Sequence, residues 1–322
     1  MKAIVQDRYG SADVVRFEDV PAPSPGDGEV LVRVHAAGVD QGVWHVMTGL
    51  PYLGRAAFGL RRPRRRVLGM DLAGRVEAVG PGVTRFRPGD EVFGSYAGAY
   101  AEYACGPQGR FAPKPARLTF EQAAAVPISA VTALQGLRDA GRVRPGQAVL
   151  VIGAAGGVGS FAVQLAKVLG AHVTGVCSGG KAELVRSIGA DAVVDYARED
   201  ITDGNPRYDV ILDLAGNRPL RQLRRALAPR GTLVIAGGEG GGRWLGGVDR
   251  QLRAHLLSPF TRQRLRALMS LQRLDDLLLV RDLLESGAVA PVIDRTYALS
   301  EAPEAIRYLR SGHVRGKVVI TV

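Results

Sequence analysis

Cysteine is almost absent from this chain of 322 residues, which carries only Cys105 and Cys177. Two thiols cannot build a disulfide framework or a four-thiolate zinc site, so a reducing, cytoplasmic setting is the default expectation. Lysine is scarce as well. Lys2, Lys114, Lys167, Lys181 and Lys317 are all there are, so arginine carries nearly the whole formal net charge of +11. The five histidines, His35, His45, His172, His255 and His313, are scattered without the spacing of a metal site. No apolar run reaches the ~18 residues a membrane-spanning helix needs. The N-terminal stretch Met1-Lys-Ala-Ile-Val-Gln-Asp-Arg8 lacks the apolar core of a signal peptide. No Gly-Lys-Ser or Gly-Lys-Thr occurs, which excludes a phosphate loop of the G-x-x-x-x-G-K-[ST] type.

Arginine is abundant in two places. Arg61-Arg-Pro-Arg-Arg-Arg66 is the densest cluster, and Arg250, Arg253, Arg262, Arg264, Arg266 and Arg273 lie among leucines. Aromatic residues do not interleave these runs and no nucleic-acid module is evident, so no nucleic-acid partner is expected. The clusters read as solvated faces. Weak peripheral contact with a membrane surface is the less favoured alternative.

The rest of the chain is organised around residues 148–170. Val149, Leu150, Val151 and Ile152 form an apolar run without polar alternation, which suits a parallel strand buried on both faces. Gly153, Gly156, Gly157 and Gly159 follow, and then helical spacing places Phe161, Leu165, Val168 and Leu169 on one apolar face. A strand, a glycine turn and a helix together form the context in which backbone N–H groups receive a dinucleotide pyrophosphate. Ala155, Gly156, Gly157, Val158 and Gly159 are therefore the expected contacts. Short-chain dehydrogenases share the glycine spacing but add a Tyr-x-x-x-Lys pair. No tyrosine here has lysine four residues later.

His172-Val-Thr-Gly-Val-Cys177 reads as the next strand, whose end meets the adenosine ribose. A carboxylate there would select NAD. Ser178, Gly179, Gly180 and Lys181 stand there instead, a hydroxyl and an ammonium suited to a 2′-phosphate, so NADPH is the expected cofactor. The alternative makes Ser178 and Gly179 turn residues and Lys181 a solvated helix start.

Along the chain, residues 1–122 alternate short strands with Gly/Pro turns, among them Glu29–Ala37 and Ala99–Ala104, and predict a compact β-barrel domain. Residues 39–66 read as irregular. At Thr119 the pattern changes, with Thr119 and Gln122 as a capping-box pair. Strands and helices then alternate in a doubly wound α/β pattern, including a strand at Thr232–Ala236, and residues 248–287 read as helical. Pro291–Tyr297, a helix over 300–311 and Lys317–Val322 close the chain. The predicted division is 1–122, 123–290 and a return segment 291–322.

Five stretches resemble the medium-chain dehydrogenase/reductase superfamily, in its zinc-independent, quinone-oxidoreductase-like branch. They are Gly80-Pro-Gly-Val-Thr-Arg-Phe-Arg-Pro-Gly-Asp-Glu-Val92, Ala99-Tyr-Ala-Glu-Tyr103, Gly153-Ala-Ala-Gly-Gly-Val-Gly159, Gly189-Ala-Asp-Ala-Val-Val-Asp-Tyr196 and Arg315-Gly-Lys-Val-Val319. The resemblance implies an α/β protein with a GroES-like β-barrel catalytic domain interrupted by a Rossmann domain with a doubly wound parallel sheet. It adds Tyr196 to the 2′-phosphate contacts and Ala215, Gly237, Arg315 and Lys317 to the cofactor contacts. It also implies a homodimer, with Thr232–Ala236 as a candidate edge strand.

The zinc-dependent branch has a cysteine where this chain has Asp40, a Gly-His-Glu where it has Gly69-Met70-Asp71, and a third ligand near Ile128. Met and Ile cannot serve as those ligands, so no metal is expected. Without a Lewis acid, reduction of an activated C=C or a quinone is easier than oxidation of an alcohol, because donors near a carbonyl can stabilise the enolate or hydroquinone anion. The expected activity is an NADPH-dependent oxidoreductase acting on a small molecule of that kind. Tyr52 is the candidate donor, or else a tyrosine packing a loop. Thr132 resembles the threonine that this family places near the nicotinamide, or else it bonds its own helix backbone. Asp40 stands where the branch usually has Asn, and an ionised carboxylate would oppose the developing charge. It is expected beside the nicotinamide, the alternative being an N-cap or an arginine partner. The competing reading is a catalytically weak NADPH-binding protein of regulatory or structural role.

Overall fold

The computed structural model describes residues 1–203, 207–238 and 242–322. The chain forms two compact units, one of Met1–Val131 with Gln272–Val322 and one of Thr132–Leu271. These limits differ from the expected 122/123 and 290/291. The helix Phe120–Ala124, started by the expected reciprocal Thr119–Gln122 bonds, packs on the first unit's sheet, and Ile128 N–H donates to Asp71. The helix Leu274–Glu285 stays with the first unit too, where Glu285 accepts the Ala116 N–H at 2.9 Å.

The first unit carries strands β1 (Lys2–Val5), β2 (Arg16–Asp19), β3 (Glu29–Val39), β4 (Asp71–Val79), β5 (Glu91–Ser95), β6 (Tyr103–Pro107) and β7 (Phe111–Pro113). The second carries β8 (Ala148–Ile152), β9 (His172–Cys177), β10 (Ala192–Asp195), β11 (Tyr208–Asp213), β12 (Leu227–Ile235) and β13 (Arg264–Ala267). The returning segment adds β14 (Ile293–Ala298) and β15 (Lys317–Thr321) to the first.

In the first unit the sheet runs β14-β15-β3-β4-β5-β7, with β6 on β3 beside β15, and β1 and β2 form a separate hairpin pair. Among the described residues no pairing between β7 and β14 closes this sheet into the expected barrel. β3 organises it. Its alternate residues Val30, Val32 and Val34, followed by Ala36, Ala37 and Val39, are buried, as are Leu72, Val76, Tyr100 and Phe111. Ala99–Ala104 is not one strand. Ala101 makes an isolated bridge to Ala3, and β6 begins at Tyr103. Residues 39–66 are less irregular than expected, with helices at Gln41–Thr48 and Arg55–Phe58.

The second unit is a wholly parallel sheet in the order β10-β9-β8-β11-β12-β13. The chain starts at β8, winds outward to β10, then reverses to β11. The doubly wound order is thus present, with its switch point between β8 and β11. Two expectations are corrected here. β12 is paired on both sides, Thr232 facing Val210 and Arg264, so Thr232–Ala236 is not an edge and the outer strand is β13. Residues 248–287 are not helical throughout, because Arg264-Leu-Arg-Ala267 pairs with β12 and buries only Leu265. A strand with one buried side chain carries almost no alternation to read. The helix Gly157–Val168 buries Phe161, Ala162, Leu165 and Ala166, while Val168 faces solvent.

Candidate functional site

β8 ends at Ile152, and Gly153 turns the chain with φ of 86°, which favours glycine. Gly156 N–H donates to Gly153 O at 3.1 Å, and Gly156 caps the helix Gly157–Val168 without a side-chain bond. The first intrahelical bond is Ser160 N–H to Gly156 O at 2.8 Å. The amides of Gly157, Val158 and Gly159 therefore have no acceptor within the helix and point out of its start. Gly159 is required by contact, since a Cβ there would lie 2.0 Å from Gly153 O. Ala155, within the turn, is buried.

The structure brings Ala215 and Gly237 to the same end of the sheet. Leu214 N–H donates to Ile152 O, and a Cβ on Gly237 would strike Leu214 O at 2.0 Å. These turns are pinned by Asp213, fully buried at the end of β11. Its carboxylate accepts Gly216 N–H at 3.1 Å and pairs with Arg250. Neither Asp213 nor Arg250 was marked as a site residue by the sequence. They lie 37 positions apart, and nothing local announces the pair.

At the end of β9, Ser178 begins a turn into the helix Ala182–Ser187, preceded by Lys181. Tyr196 follows β10 and is exposed. Sequence reasoning missed Asp195. It faces Cys177 in the ladder, and a Cβ on Gly179 would lie 2.5 Å from its Oδ2, so a carboxylate reaches the β9 end from the neighbouring strand. It accepts Ala197 N–H at 3.1 Å and has Arg198 Nε at 3.9 Å. Lys181 and Arg186 also act on this region: burial and Asp195 push the Cys177 thiol up, and the two cations pull against them.

In the first unit, Asp40 is the N-cap of the helix Gln41–Thr48. Its Oδ1 accepts Val43 N–H at 3.2 Å, and its Oδ2 is buried without a hydrogen-bond partner. The N-cap alternative therefore holds for one oxygen and leaves the other. Tyr52 opens a short turn after Pro51 and is half-buried, with the Arg55 guanidinium 4.7 Å from its ring centroid and 4.5 Å from that of Tyr9. Arg55 thus fixes the ring by cation–π contact. Thr132 sits half-buried on the helix Pro127–Leu134, where the second unit begins.

Arg315 is exposed, its N–H bonded to Asp294 at 2.9 Å. Lys317 is 2% exposed, with Nζ 3.8 Å from Asp71 Oδ2, beyond hydrogen-bond distance, and with no hydrogen-bond partner of its own. Asp71 is fully buried, and both its oxygens lie within 3.2 Å of Ile128 N–H. Burial pushes its carboxyl up to about 8; Lys317 pulls it down, and Asp40 raises it further. The Tyr100 hydroxyl donates to Gly38 O at 3.2 Å and stays neutral, pushed well above its usual range by burial and by both carboxyls. Among the described residues no three His, Cys, Asp or Glu side chains gather as a metal site. Met70 and Ile128 occupy two of the three positions at which zinc-dependent relatives carry ligands.

Residues 26–116 match the alcohol dehydrogenase GroES-like domain, and residues 188–320 match the zinc-binding dehydrogenase domain. The chain is 33% identical over 360 residues to "NAD(P)H oxidoreductase RTN4IP1, mitochondrial" of Bos taurus, covering all of this chain and 89% of that one. The quinone oxidoreductase of Coxiella burnetii has the same fold, with a TM-score of 0.88, 29% identity, and 100% and 99% of the two chains covered. A mycobacterial protein solved with NADPH superposes with a TM-score of 0.84 at 29% identity over the whole of both chains. The chain belongs to the medium-chain dehydrogenase/reductase superfamily, in its zinc-independent, quinone-oxidoreductase-like branch. It is an NAD(P)H-dependent oxidoreductase.

Proposed function

We propose that this protein transfers hydride from NADPH to a small molecule bearing an activated C=C or a quinone carbonyl, without zinc. The observation that carries the cofactor is the glycine turn at the switch point, where the amides of Gly157, Val158 and Gly159 are left without an intrahelical acceptor at a helix start. A dinucleotide pyrophosphate fits that cradle. Lys181, Arg186 and Arg198 lie around the β9 end and could meet a 2′-phosphate, and the NADPH complex of the mycobacterial relative supports that form. When bound, the nicotinamide supplies hydride. The chain's own residues have other tasks: the 156–159 amides hold the pyrophosphate, Asp213 and Arg250 hold the Ala215 and Gly237 turns in place, and Asp40 and Tyr52 serve as the oxygen-directed groups.

The donor set supports the substrate class. A carboxyl and a phenol can hydrogen-bond or protonate a developing enolate or hydroquinone oxygen, but neither replaces a metal in stabilising an alkoxide. The test is NADPH consumption with a panel of enones and quinones, beside NADP-linked oxidation of simple alcohols. Turnover confined to the first panel is expected. Turnover confined to alcohols, or none at all, rejects the reading.

A further inference from the structure

The two arginine clusters of the chain differ once it is folded. In the later one, Arg250 is bound by Asp213, and Arg264 and Arg266 stand on β13, the outer strand of its sheet. The earlier one, Arg61-Arg-Pro-Arg-Arg-Arg66, lies wholly in the first unit and the hydride-transfer reading gives it no task. Its backbone is well defined. Phe58 O accepts the Arg64 N–H at 2.8 Å and closes a loop over residues 58–64. Gly59, with φ of 123°, turns the chain back on itself, and a Cβ there would lie 2.1 Å from Arg62 O. The Tyr9 hydroxyl donates to Gly59 O and ties down the base of the loop, beside the buried Pro63. Between these ties stand Leu60, Arg61 and Arg62, all exposed. Leu60 is 75% exposed and Leu53 54%, and the single helical turn between them, Arg55–Phe58, exposes Ala56 and Ala57. Neither leucine joins the apolar core of the unit.

The charge of this segment is left unbalanced. From Gln41 to Met70 the chain has six arginines and no aspartate or glutamate. Arg55 lies against the Tyr9 and Tyr52 rings and bonds Gly49 O at 3.0 Å. Arg66, with Arg16, neutralises Asp7 and Glu18, and these guanidiniums hold the Asp7 carboxyl at about 2. The other four keep their charge. Arg64 reaches only Ala56 O, at 3.5 Å, and Arg65 bonds the Tyr96 hydroxyl at 3.1 Å. Arg61 and Arg62 have no hydrogen-bond or ion-pair partner among the described residues. A single exposed leucine needs no explanation. Two of them beside four unbalanced guanidiniums mark a surface made for contact.

We propose that residues 53–65 dock on an anionic lipid surface, with Leu53 and Leu60 entering the headgroup layer and Arg61, Arg62, Arg64 and Arg65 meeting its phosphates. The guanidinium fork matches phosphate geometry, each basic side chain near an anionic leaflet adds attraction, and the leucines add apolar burial. A nucleic acid would also satisfy the arginines, but its phosphate backbone offers nothing to the two leucines. The contact is peripheral, and no helix among the described residues is long and apolar enough to cross a membrane.

The consequence for substrate rests on the enone or quinone reading. Tyr52, one of the oxygen-directed groups in that reading, immediately precedes Leu53, so docking carries it to the lipid surface. The substrates are then quinones or enones dissolved in the bilayer.

Sedimentation of the full chain with vesicles tests the docking without turnover. Phosphatidylcholine vesicles containing phosphatidylglycerol should carry the protein down at about 0.1 M salt and release it as salt is raised, while phosphatidylcholine alone should carry little. Replacing Arg61→Gln and Arg62→Gln together should weaken binding about 25-fold, roughly fivefold for each arginine. Replacing Leu53→Ser and Leu60→Ser together should weaken it roughly tenfold. All four side chains are exposed, so melting temperatures should not move. Equal binding to both vesicles, binding to neither, or leucine variants that bind like wild type overturns the proposal. Duplex DNA that binds more tightly than the mixed vesicles also overturns it and assigns the arginines to nucleic acid. In turnover, NADPH oxidation by a long-chain quinone should be faster in mixed than in neutral vesicles, and the gain should vanish in the double arginine variant. Equal rates in the two vesicles overturn the bilayer substrate. If the vesicles bind as expected while no quinone or enone reacts, the reaction reading fails and the docking stands. If water-soluble quinones react while no vesicle binds, the docking fails and the reaction reading stands.

Discussion

Two glycines of the same loop, three positions apart, should respond differently to one added methyl group. At Gly159 a Cβ would lie 2.0 Å from Gly153 O and 2.8 Å from Ala154 Cα, where ordinary contact begins at 3.4 Å. Both obstacles are backbone, so no flexible side chain can yield. The helix Gly157–Val168 must move back by about 1.4 Å, against a buried face of Phe161, Ala162, Leu165 and Ala166. Overpacking of this kind costs about 1–3 kcal/mol. For a unit of this size that is a fall of roughly 3–10 °C in Tm. The same movement withdraws the amides that would receive the pyrophosphate, so NADPH affinity should fall at least tenfold, about 1.4 kcal/mol. At Gly156 the nearest atom is again Gly153 O, but at 3.4 Å, so Gly156→Ala needs no such shift. Its Tm should stay within a degree or two, a change under about 0.5 kcal/mol. Thermal melts with NADPH titration by fluorescence read both effects. Equal losses in the two variants, or a Gly159→Ala protein that melts and binds like wild type, would refute the cradle geometry.

Asp71 gives a pH dependence with a definite sign. Its folded value of about 8 lies above the usual 3.8, so its contribution is fully present below the lower value and is lost as pH rises through the upper one. The loss is at most roughly 6 kcal/mol over that window. Asp71→Asn resembles the protonated form, so melts from acid to alkaline pH should slope less than wild type, and parallel slopes would count against it. Lys181→Ala should weaken NADPH about tenfold and leave NADH unchanged, because an ammonium facing a phosphate supplies a charge-assisted bond that NADH lacks; equal losses for both cofactors would assign Lys181 elsewhere. Purified protein should contain no stoichiometric zinc, and chelators should leave its melt unchanged, which elemental analysis and calorimetry can check. A homodimer is expected by light scattering at micromolar concentration, through β13, the outer strand among the described residues, and a monomer would reject it.

The sequence was readable where one short segment determines both its structure and its chemistry. The run Ala148–Ile152, the turn Gly153–Gly159 and the Thr119–Gln122 capping box each announce a local geometry, and each is found as expected. Legibility failed where a neighbouring strand decides. Thr232–Ala236 read as an edge because β13 was hidden in an arginine–leucine segment with one buried side chain. Asp195 carries no signal at the end of β9 itself, because only the ladder brings it alongside from β10. Asp213 and Arg250 meet only after the chain has passed through β12.

Asp40 shows how a correct observation can lead to an incomplete inference. Taken alone, a carboxylate where relatives carry an amide argues against a reductase, since it would repel the charge that reduction creates. That argument assumes Asp40 is ionised and solitary. In the folded chain it stands beside a second carboxyl from β4 and an ammonium from β15, residues 31 and 277 positions away. Met70 and Ile128 likewise read as a lost metal site. In the structure Ile128 donates its N–H to Asp71, and the buried Lys317 stands 3.8 Å from the same carboxyl. Substitutions at Asp40 or Lys317 should therefore be interpreted through Asp71, whose carboxyl both of them act on.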